Sequence, residues 1–542
     1  MSAAQDHSDI DKLPTEFEVH EAIREVFLDP QNGTQDDISR AGCLALAKKS
    51  NEVGGKDNGH VVWNAWRKSF PTTPNPSKNR VQFAGVNFST SENKLNDQPI
   101  SFAKFEFGDW AEFKGSEWDG FTNFEGAKFG GNACFLSARF GSNANFSCVV
   151  FGPKADFRSV AWGLSANFQG TYWMQDATFS GAQFGGLAMF NYALFEDGAN
   201  FEGTEWHSLS HPKWLSYKSM TNFQGVVFVG QVSFQGARFD CDMNFSGASP
   251  KVHLGTLTLT KRAQLATFIE DNDLSTKTFH RIDFSGAEFL GNVNFENRCF
   301  LSKTSFGCLD QEIALQSLER DQEGKLISYG EMRWRLSVYK SLPKGKATTF
   351  AQVPEFHGCE FNQDTSFEGA KFPQPTGSEE AARAYRTLKL AFSKQQAIRE
   401  EQRFFRLEME EETLRETGLK RVLFKAYKFC SDYGFSVVRP LVYGGVLVLA
   451  LTALYGFLSW LGQCGVSLQA CHFAPQWLEF SLLQTLPLPG LDKLVEDASK
   501  VFWPSGAWWG LALSVLVVFH KTISLAVLFL VGLAIRNLFK LK

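Results

Sequence analysis

Aromatic residues recur in this chain with a period of 11 residues, and this repeat restricts the possible folds more than any other feature. From Phe102 the steps between aromatics alternate between five and six residues, and the phase holds as far as Phe245. Such steps cannot keep an aromatic stripe on one face of a helix with 3.6 residues per turn. The repeat therefore predicts a stack of short extended units.

A second column of residues supports this interpretation. A small residue, usually alanine, stands two positions before most of the aromatics. Side chains at positions i−2 and i point to the same side of an extended strand, so each unit sends one small and one large side chain inward. We expect the inward aromatics to form a structural ladder that includes Phe124, Phe129, Phe135, Phe140, Phe146, Phe151, Phe157, Phe168, Phe179 and Phe184.

Four units share a short motif, which reads Ala144-Asn145-Phe146, Ala155-Asp156-Phe157, Ala166-Asn167-Phe168 and Ala199-Asn200-Phe201. This motif resembles the unit of the pentapeptide-repeat family, approximately Ala-(Asp/Asn)-(Leu/Phe)-x-x. The resemblance covers roughly residues 81 to 372 and implies a β-solenoid, a right-handed quadrilateral β-helix with four units per coil. A sixth residue in alternate units departs from the family pattern and predicts a looser corner on two faces.

The composition divides the chain into four regions. We expect an N-terminal helical cap over 1–80, in which Trp63 and Trp66 cover the first coil, because an open coil leaves strand edges exposed. The β-helix follows over 81–373, with insertions at about 247–281 and 309–354 where the aromatic phase is lost. A helical connector with an amphipathic membrane-surface helix spans 374–436 and bends near Gln395–Gln396. A transmembrane module occupies 437–542.

Two apolar stretches in the last region predict transmembrane helices, at about 441–461 and 511–535. Each is long enough, at ~1.5 Å per residue, to cross a ~30 Å hydrocarbon layer. Basic residues precede the first stretch and follow the second, which by the positive-inside rule places both flanks in the cytoplasm. The expected location is the inner membrane of a bacterium, as a multi-pass protein with both termini and the repeat domain cytoplasmic.

The segment between the two stretches is predicted to be re-entrant over about 475–492, as a short apolar helix followed by a Pro/Gly bend. This order of elements is similar to the pore module of two-span potassium channels. The filter residues differ, because Thr485-Leu-Pro-Leu-Pro-Gly-Leu-Asp492 replaces Thr-Val-Gly-Tyr-Gly-Asp, and two prolines cannot reproduce its stack of carbonyls. The pore candidates are Thr485, Pro487, Pro489, Gly490, His520 and Lys521.

His520 and Lys521 interrupt the second apolar stretch and allow two interpretations. A lysine at mid-bilayer costs roughly 3 kcal/mol unless it faces water or protein. In an oligomer, Lys521 would form a ring of positive charge that disfavours cations. Alternatively, the helix starts near His520, and Lys521 and Arg536 reach opposite interfaces.

Several other classes of protein are disfavoured. The net charge of −4, from 54 basic and 58 acidic residues, argues against a protein that coats nucleic acid. There is no phosphate-binding loop, His-Glu-x-x-His or Cys-x-x-Cys motif, so we expect no enzyme, no cofactor and no metal site. The ten cysteines are scattered. Only Cys464 and Cys471 fall in the loop between the spans, where a disulfide is possible.

Two functions remain open. The first is a channel-like oligomer, a tetramer or other ring in the lipid bilayer, with the repeat domain as a regulatory or interaction domain. Two helices around a Pro-rich dip have little to pack against, so self-association is expected. The second is a membrane-tethered scaffold that binds a protein partner without conducting ions. DNA mimicry, known among soluble pentapeptide-repeat proteins, is disfavoured because this repeat domain is attached to a membrane segment.

Overall fold

The chain forms two units, a solenoid unit and a helical unit. The structure, a computed structural model, describes residues 13–35, 37–69, 80–207, 220–247, 277–308, 345–463, 475–485 and 507–540. The solenoid unit comprises Met1–Gln374 and Leu390–Gln395, and the helical unit comprises Pro375–Lys389 and Gln396–Lys542.

Short parallel strands build the solenoid unit, and in its described part they form three sheets. The first contains Val81–Gln82, Glu106–Glu112, Lys128–Cys134, Val150–Phe151, Ala155–Asp156, Tyr172–Trp173, Ala177–Thr178, Leu194–Phe195, Ala199–Asn200, Val227–Ser233, Thr278–Asp283, Cys299–Phe300 and Thr304–Ser305. The second contains Glu117–Trp118, Arg139–Phe140, Ala161–Trp162, Gln183–Phe184, Glu205–Trp206, Arg238–Phe239, Glu288–Phe289 and Thr349–Phe350. The third contains Thr122–Asn123, Asn143–Asn145, Ser165–Asn167, Leu187–Met189, Met220–Asn222, Asp242–Asn244 and Val293–Asn294.

The strand register confirms a β-solenoid. Val150 pairs with Tyr172, and Tyr172 pairs with Leu194, each in parallel. Equivalent residues of these coils are therefore 22 positions apart, as for the Asn145 and Asn167 side chains. One coil thus contains two of the 11-residue periods, and like residues of successive coils lie one above the other.

Stacked aromatic rings fill the interior of the solenoid. The predicted ladder residues from Phe124 to Phe184 are all buried. Phe135 stacks on Phe157 of the next coil, with ring centroids 4.7 Å apart and planes at 9°. It also meets Phe146 edge to face, at 5.6 Å and 84°. Both arrangements are favourable for aromatic quadrupoles, so each ring contributes more than its buried area alone.

Asparagine before a ladder phenylalanine shapes the corner of the coil. The Oδ1 atom of Asn145 accepts a hydrogen bond from the backbone N–H of Ser147 at 3.1 Å. Asn167 repeats this contact with Gln169 at 3.0 Å. A side-chain oxygen that caps the N–H two residues ahead replaces a backbone turn bond. This contact explains why Asn or Asp occupies that position of the motif.

Both ends of the solenoid are covered by aromatic side chains from helices. At the N-terminal end, α1 (Glu16–Val26), α2 (Arg40–Asn58) and α3 (Val61–Lys68) accompany a short 3-10 turn, Pro30–Asn32, and an antiparallel strand pair, Gly33–Thr34 and Asp37–Ile38. A second 3-10 turn, Ser91–Asn93, follows the first strand of the solenoid. Trp63 of α3 is fully buried and stacks on Phe105 at 5.3 Å. At the other end, Phe392 stacks on Phe361 at 5.3 Å.

The aromatic ladder resumes earlier than the predicted insertions allow. Residues 248–276 and 309–344, most of both insertions, lie outside the described residues. Phe279, placed in the first insertion by the sequence, lies in a strand paired with Phe228 and Phe300. Phe350, placed in the second, stacks on Phe289 at 5.0 Å. Both insertions therefore end sooner than 281 and 354, since a long intervening segment hides the phase of the residues that follow it.

Arg298 occupies an inward position two residues before Phe300, where other units have a small residue. Its guanidinium is 1% exposed and donates hydrogen bonds to the backbone carbonyls of Phe245, Val226 (3.0 Å) and Phe223 (3.2 Å). It also lies 4.2 Å from the ring centroid of Phe279. Burial lowers the pKa of Arg298 to about 9. The guanidinium thus ties three carbonyls together beside the first insertion.

In its described residues, the helical unit contains six helices. They are α4 (Glu379–Lys394, whose last turn belongs to the solenoid unit), α5 (Ile398–Arg415), α6 (Gly418–Ser431), α7 (Val438–Gln463), α8 (Pro475–Thr485) and α9 (Ala507–Lys540). The bend predicted near Gln395–Gln396 separates α4 from α5, and Gln396 has a φ of 59°. Two segments, Val438–Leu458 and Ser514–Asn537, are long and apolar enough to cross a membrane, with mean hydropathy of 2.1 and 2.2.

Helix α9 extends well beyond the position where the second interpretation of His520 and Lys521 expects it to start. It runs without a break from Ala507 to Lys540. The expected helix start near His520 is therefore wrong, because the apolar residues before His520 extend the helix in the N-terminal direction. Both residues lie in its interior.

Replacing Phe168 with alanine should remove one rung of the ladder. Phe168 is fully buried and stacks on Phe146 at 5.2 Å and on Phe190 at 4.8 Å. The cavity should lower the free energy of unfolding by ~3–5 kcal/mol, measured by urea titration with circular dichroism. Leu164→Ala, at a site that is 50% exposed, is the matched control and should change it little. Equal stability of the two variants would contradict the stacked core.

Replacing Arg298 with methionine should leave buried carbonyls without this donor. The Phe223 carbonyl keeps its bond from the Val226 N–H, so we expect a loss of about 1–3 kcal/mol from the carbonyls that lose their donor, in the same titration. Arg298→Lys keeps the charge but cannot span three carbonyls, and should fall between wild type and methionine. A methionine variant as stable as wild type would show that the carbonyls do not depend on the guanidinium.

Candidate functional site

Helix α8 packs against both long helices of the helical unit. Phe480 of α8 is buried with Leu451 and Tyr455 of α7, and Leu516 and Val517 of α9 contact the same cluster. The Phe480 and Tyr455 rings meet edge to face at 5.0 Å. These apolar contacts hold three helices together around one point.

A chain of polar groups crosses this point. The His520 side chain of α9 is fully buried. Its Nδ1 atom lies 3.2 Å from the Tyr455 hydroxyl of α7, and its Nε2 atom lies 3.1 Å from the Thr485 hydroxyl of α8. Thr485 also donates to the Ser481 carbonyl at 2.9 Å. One imidazole therefore links all three helices.

Further hydroxyl contacts fix α8 against α7. The Ser481 hydroxyl donates to the Val448 carbonyl of α7 at 3.2 Å, and Thr452 donates to the same carbonyl at 2.7 Å. Gly456 allows the close approach of Trp477, since a Cβ atom at that glycine would lie 2.5 Å from the indole ring. Small and hydroxylated residues thus set the spacing of the two helices.

Two buried polar side chains beside these hydrogen-bonded groups have no hydrogen-bond partner in the described part of the structure. The Gln484 side chain is 1% exposed, and neither its carboxamide oxygen nor its nitrogen has a hydrogen-bond partner. Ser524, one turn from His520 on α9, is 2% exposed and its hydroxyl is also unpaired. A buried unpaired amide costs about 1–3 kcal/mol, so such groups mark a place where water, a ligand or a structural change supplies the partner.

The structure places some of the predicted pore residues together. Thr485 and His520 are in hydrogen-bond contact, and Lys521 follows His520 as a partly buried side chain. Pro487, Pro489 and Gly490, and the cysteines Cys464 and Cys471, lie outside the described residues.

Sequence reasoning missed other members of the cluster, which are Tyr455, Ser481, Gln484 and Ser524. A usable signal was present for the last of these, because His520 and Ser524 are four residues apart and share one face of a helix. Polar residues inside an apolar helix are functional candidates for the same reason that they are costly.

The connector helices α4 and α5 are joined by buried carboxylates. Glu408, 5% exposed, accepts from Arg386 at 2.7 Å and from Lys389 at 2.6 Å. The hydrogen bond to Glu408 raises the pKa of the Arg386 guanidinium. Glu411, 1% exposed, accepts from the backbone N–H groups of Thr376 at 3.0 Å and Gly377 at 2.6 Å. These charge-assisted bonds hold α4 and α5 in a fixed arrangement.

Helix α6 presents apolar and basic residues to solvent. Leu419, Val422, Leu423 and Phe429 are 58% to 74% exposed. Lys428 forms an ion pair with Glu410 at 2.7 Å, and the pair raises the pKa of Lys428.

Near the end of α6, the Asn537 side chain of α9 donates to the Gly434 carbonyl at 2.9 Å. The start of α7 and the end of α9 therefore lie on the same side of the helical unit.

Comparisons with known proteins returned nothing for this chain. No family model matches it, no curated protein matches it and no solved structure matches it. Over the described residues, no group of three or more His, Cys, Asp or Glu side chains is arranged to hold a metal ion.

Replacing Gln484 with methionine should make the protein more stable. The variant keeps the volume but removes both unpaired polar atoms, so thermal unfolding in detergent should shift upward, by about 1–3 kcal/mol in free energy. Leu483→Met, the adjacent and partly buried site, is the control and should be close to neutral. A destabilised methionine variant would show that the carboxamide has a partner in the folded protein.

Proposed function

We propose that this chain is a membrane protein that assembles into a channel-like oligomer and carries its solenoid as a regulatory or interaction domain. The observation that carries the proposal is the position of α8. A helix of 11 residues, too short to cross a bilayer, is held between two helices that are long enough to do so. Its polar C-terminal end reaches His520 in the interior of α9.

The outer surfaces of the long helices support oligomerisation in lipid. Leu441, Val442, Val446 and Leu449 of α7 are 54% to 62% exposed, and Val515, Val518, Leu525 and Phe529 of α9 are 58% to 68% exposed. Helices with this much exposed apolar surface need lipid or further copies of the chain around them. A closed ring, such as a tetramer, would satisfy both contacts.

The finer features of the fold and topology belong to the same proposal. Four inward aromatics per 22-residue coil support a quadrilateral coil, and the common right-handedness of parallel crossover connections favours a right-handed one. The adjacency of Gly434 and Asn537 brings the basic flanks of the two spans to one side, which supports a cytoplasmic location for the solenoid and both termini. A bacterial inner membrane is the location that we propose for the protein.

A membrane-tethered scaffold is the second candidate. The observation that favours it is that aromatic side chains, Trp63 and Phe392, cover both solenoid ends, so a partner would bind a lateral sheet face. Charged residues alternate along one face, as in Glu117 and Arg139 (3.7 Å) and in Arg238 and Glu288 (3.3 Å). Such a face suits a protein partner with complementary charge.

Planar-bilayer recording separates the two candidates. Purified full-length protein, reconstituted under a KCl gradient, should give discrete currents if the chain is a channel. Protein that is folded and inserted but electrically silent would contradict the channel and leave the scaffold. Chemical cross-linking of the same sample should show a ring of copies in the first case.

Lys521→Glu should move the selectivity of these currents toward cations. A ring of lysines disfavours cations and a ring of glutamates attracts them, so the reversal potential under the KCl gradient should shift toward the potassium equilibrium potential. Lys521→Arg preserves the charge and should leave the potential near that of wild type. Identical potentials for all three proteins would remove Lys521 from the pore lining.

A further inference from the structure

We infer that His520 is a neutral latch that holds α8 between α7 and α9, and that protonation of its ring releases α8. This inference rests on the proposed membrane function for its consequence, which is control of conduction by pH. The latch itself follows from the hydrogen-bond geometry at Tyr455, His520 and Thr485.

The direction of each hydrogen bond follows from the number of protons available. A threonine hydroxyl has one hydrogen, and that of Thr485 is directed to the Ser481 carbonyl at 2.9 Å. Thr485 must therefore accept at its contact with His520, so Nε2 carries the ring proton. Nδ1 is then an acceptor, and the Tyr455 hydroxyl donates to it. The three hydrogen bonds therefore all point the same way, from the Tyr455 hydroxyl through His520 and Thr485 to the Ser481 carbonyl.

A second proton on the ring breaks this order. An imidazolium donates from both nitrogens, so Nδ1–H would face a tyrosine hydroxyl whose own hydrogen points at it. The Tyr455 hydroxyl must then turn away, and its bond to His520 is its one hydrogen bond within the described residues. The charge also lies in a fully buried position. Separation of α8 from α9 admits water, which solvates the imidazolium charge and gives the Tyr455 hydroxyl a new hydrogen-bond partner.

The surroundings of His520 leave this ring as the titrating group. Tyr455 is the ionisable residue that faces it from α7, and α8 faces it with Thr485. The ionisable residue of α8, Glu479, is exposed. On α9 itself, Lys521 is adjacent in the chain. The unpaired Gln484 carboxamide, next to Thr485, provides a dipole that can turn toward an imidazolium.

Hydrogen–deuterium exchange of the full-length protein in lipid nanodiscs tests the latch without relying on conduction. The peptide that covers 475–485 should lose protection, on the order of tenfold after correction for intrinsic rates, as the pH falls through the range of histidine titration. Peptides from the solenoid strands report whether each variant remains folded.

Two variants make the test specific. His520→Gln keeps one donor and one acceptor but cannot take a proton there, so protection of α8 should no longer depend on pH. Tyr455→Phe removes the bond that favours the neutral ring, so the transition should move to higher pH.

A flat profile in the wild type, the same transition in His520→Gln, or no upward shift in Tyr455→Phe would each overturn the latch. Currents recorded on the same preparations show separately whether the protein conducts. A latch without currents would therefore contradict the channel but not this inference.

Discussion

Each 22-residue coil of the solenoid can place its phenylalanines only above those of the coil before it, because a shift of one residue would turn every ring to the outside. Parallel ring contacts of 4.7 Å to 5.2 Å recur along the ladder, with edge-to-face contacts between neighbouring columns. Register, coil length and the small residues at i−2 all follow from this packing. It also explains the tolerance of insertions, since each coil needs only its two neighbours.

Some ladder positions hold tryptophan, whose indole N–H needs a hydrogen-bond partner inside the stacked core. Trp173 and Trp206 each have a threonine two residues earlier, and the indole N–H donates to that hydroxyl at 2.9 Å in both cases. Trp162 has Val160 there instead, and its indole nitrogen is unpaired. A threonine at i−2 can therefore also satisfy a polar aromatic inside the solenoid, whereas Ser116, two residues before Trp118, leaves that indole nitrogen unpaired.

The sequence was sufficient for the ladder and insufficient for the polar cluster, for one physical reason. Ladder contacts join residues at a constant separation, so a period in the sequence reveals them directly. The Tyr455 and His520 contact joins residues 65 positions apart, and it depends on how two helices cross. Arg298 was missed for a related reason, since its partners belong to coils on the other side of an insertion. The burial of Gln484 likewise depends on packing between helices, which spacing does not give.

The unpaired polar groups of Trp162 and Gln484 have different meanings. Trp162 leaves one N–H without a partner on a ring whose large apolar surface is fully used in stacking. Gln484 leaves a whole carboxamide unpaired, where a methionine of similar volume would carry no polar atom that needs a partner. Stability alone therefore accounts for the tryptophan but not for the glutamine. Gln484 lowers stability without a packing reason, and it lies next to the site where His520 joins three helices. Side chains of this kind are typical of a moving or ligand-binding part of a protein.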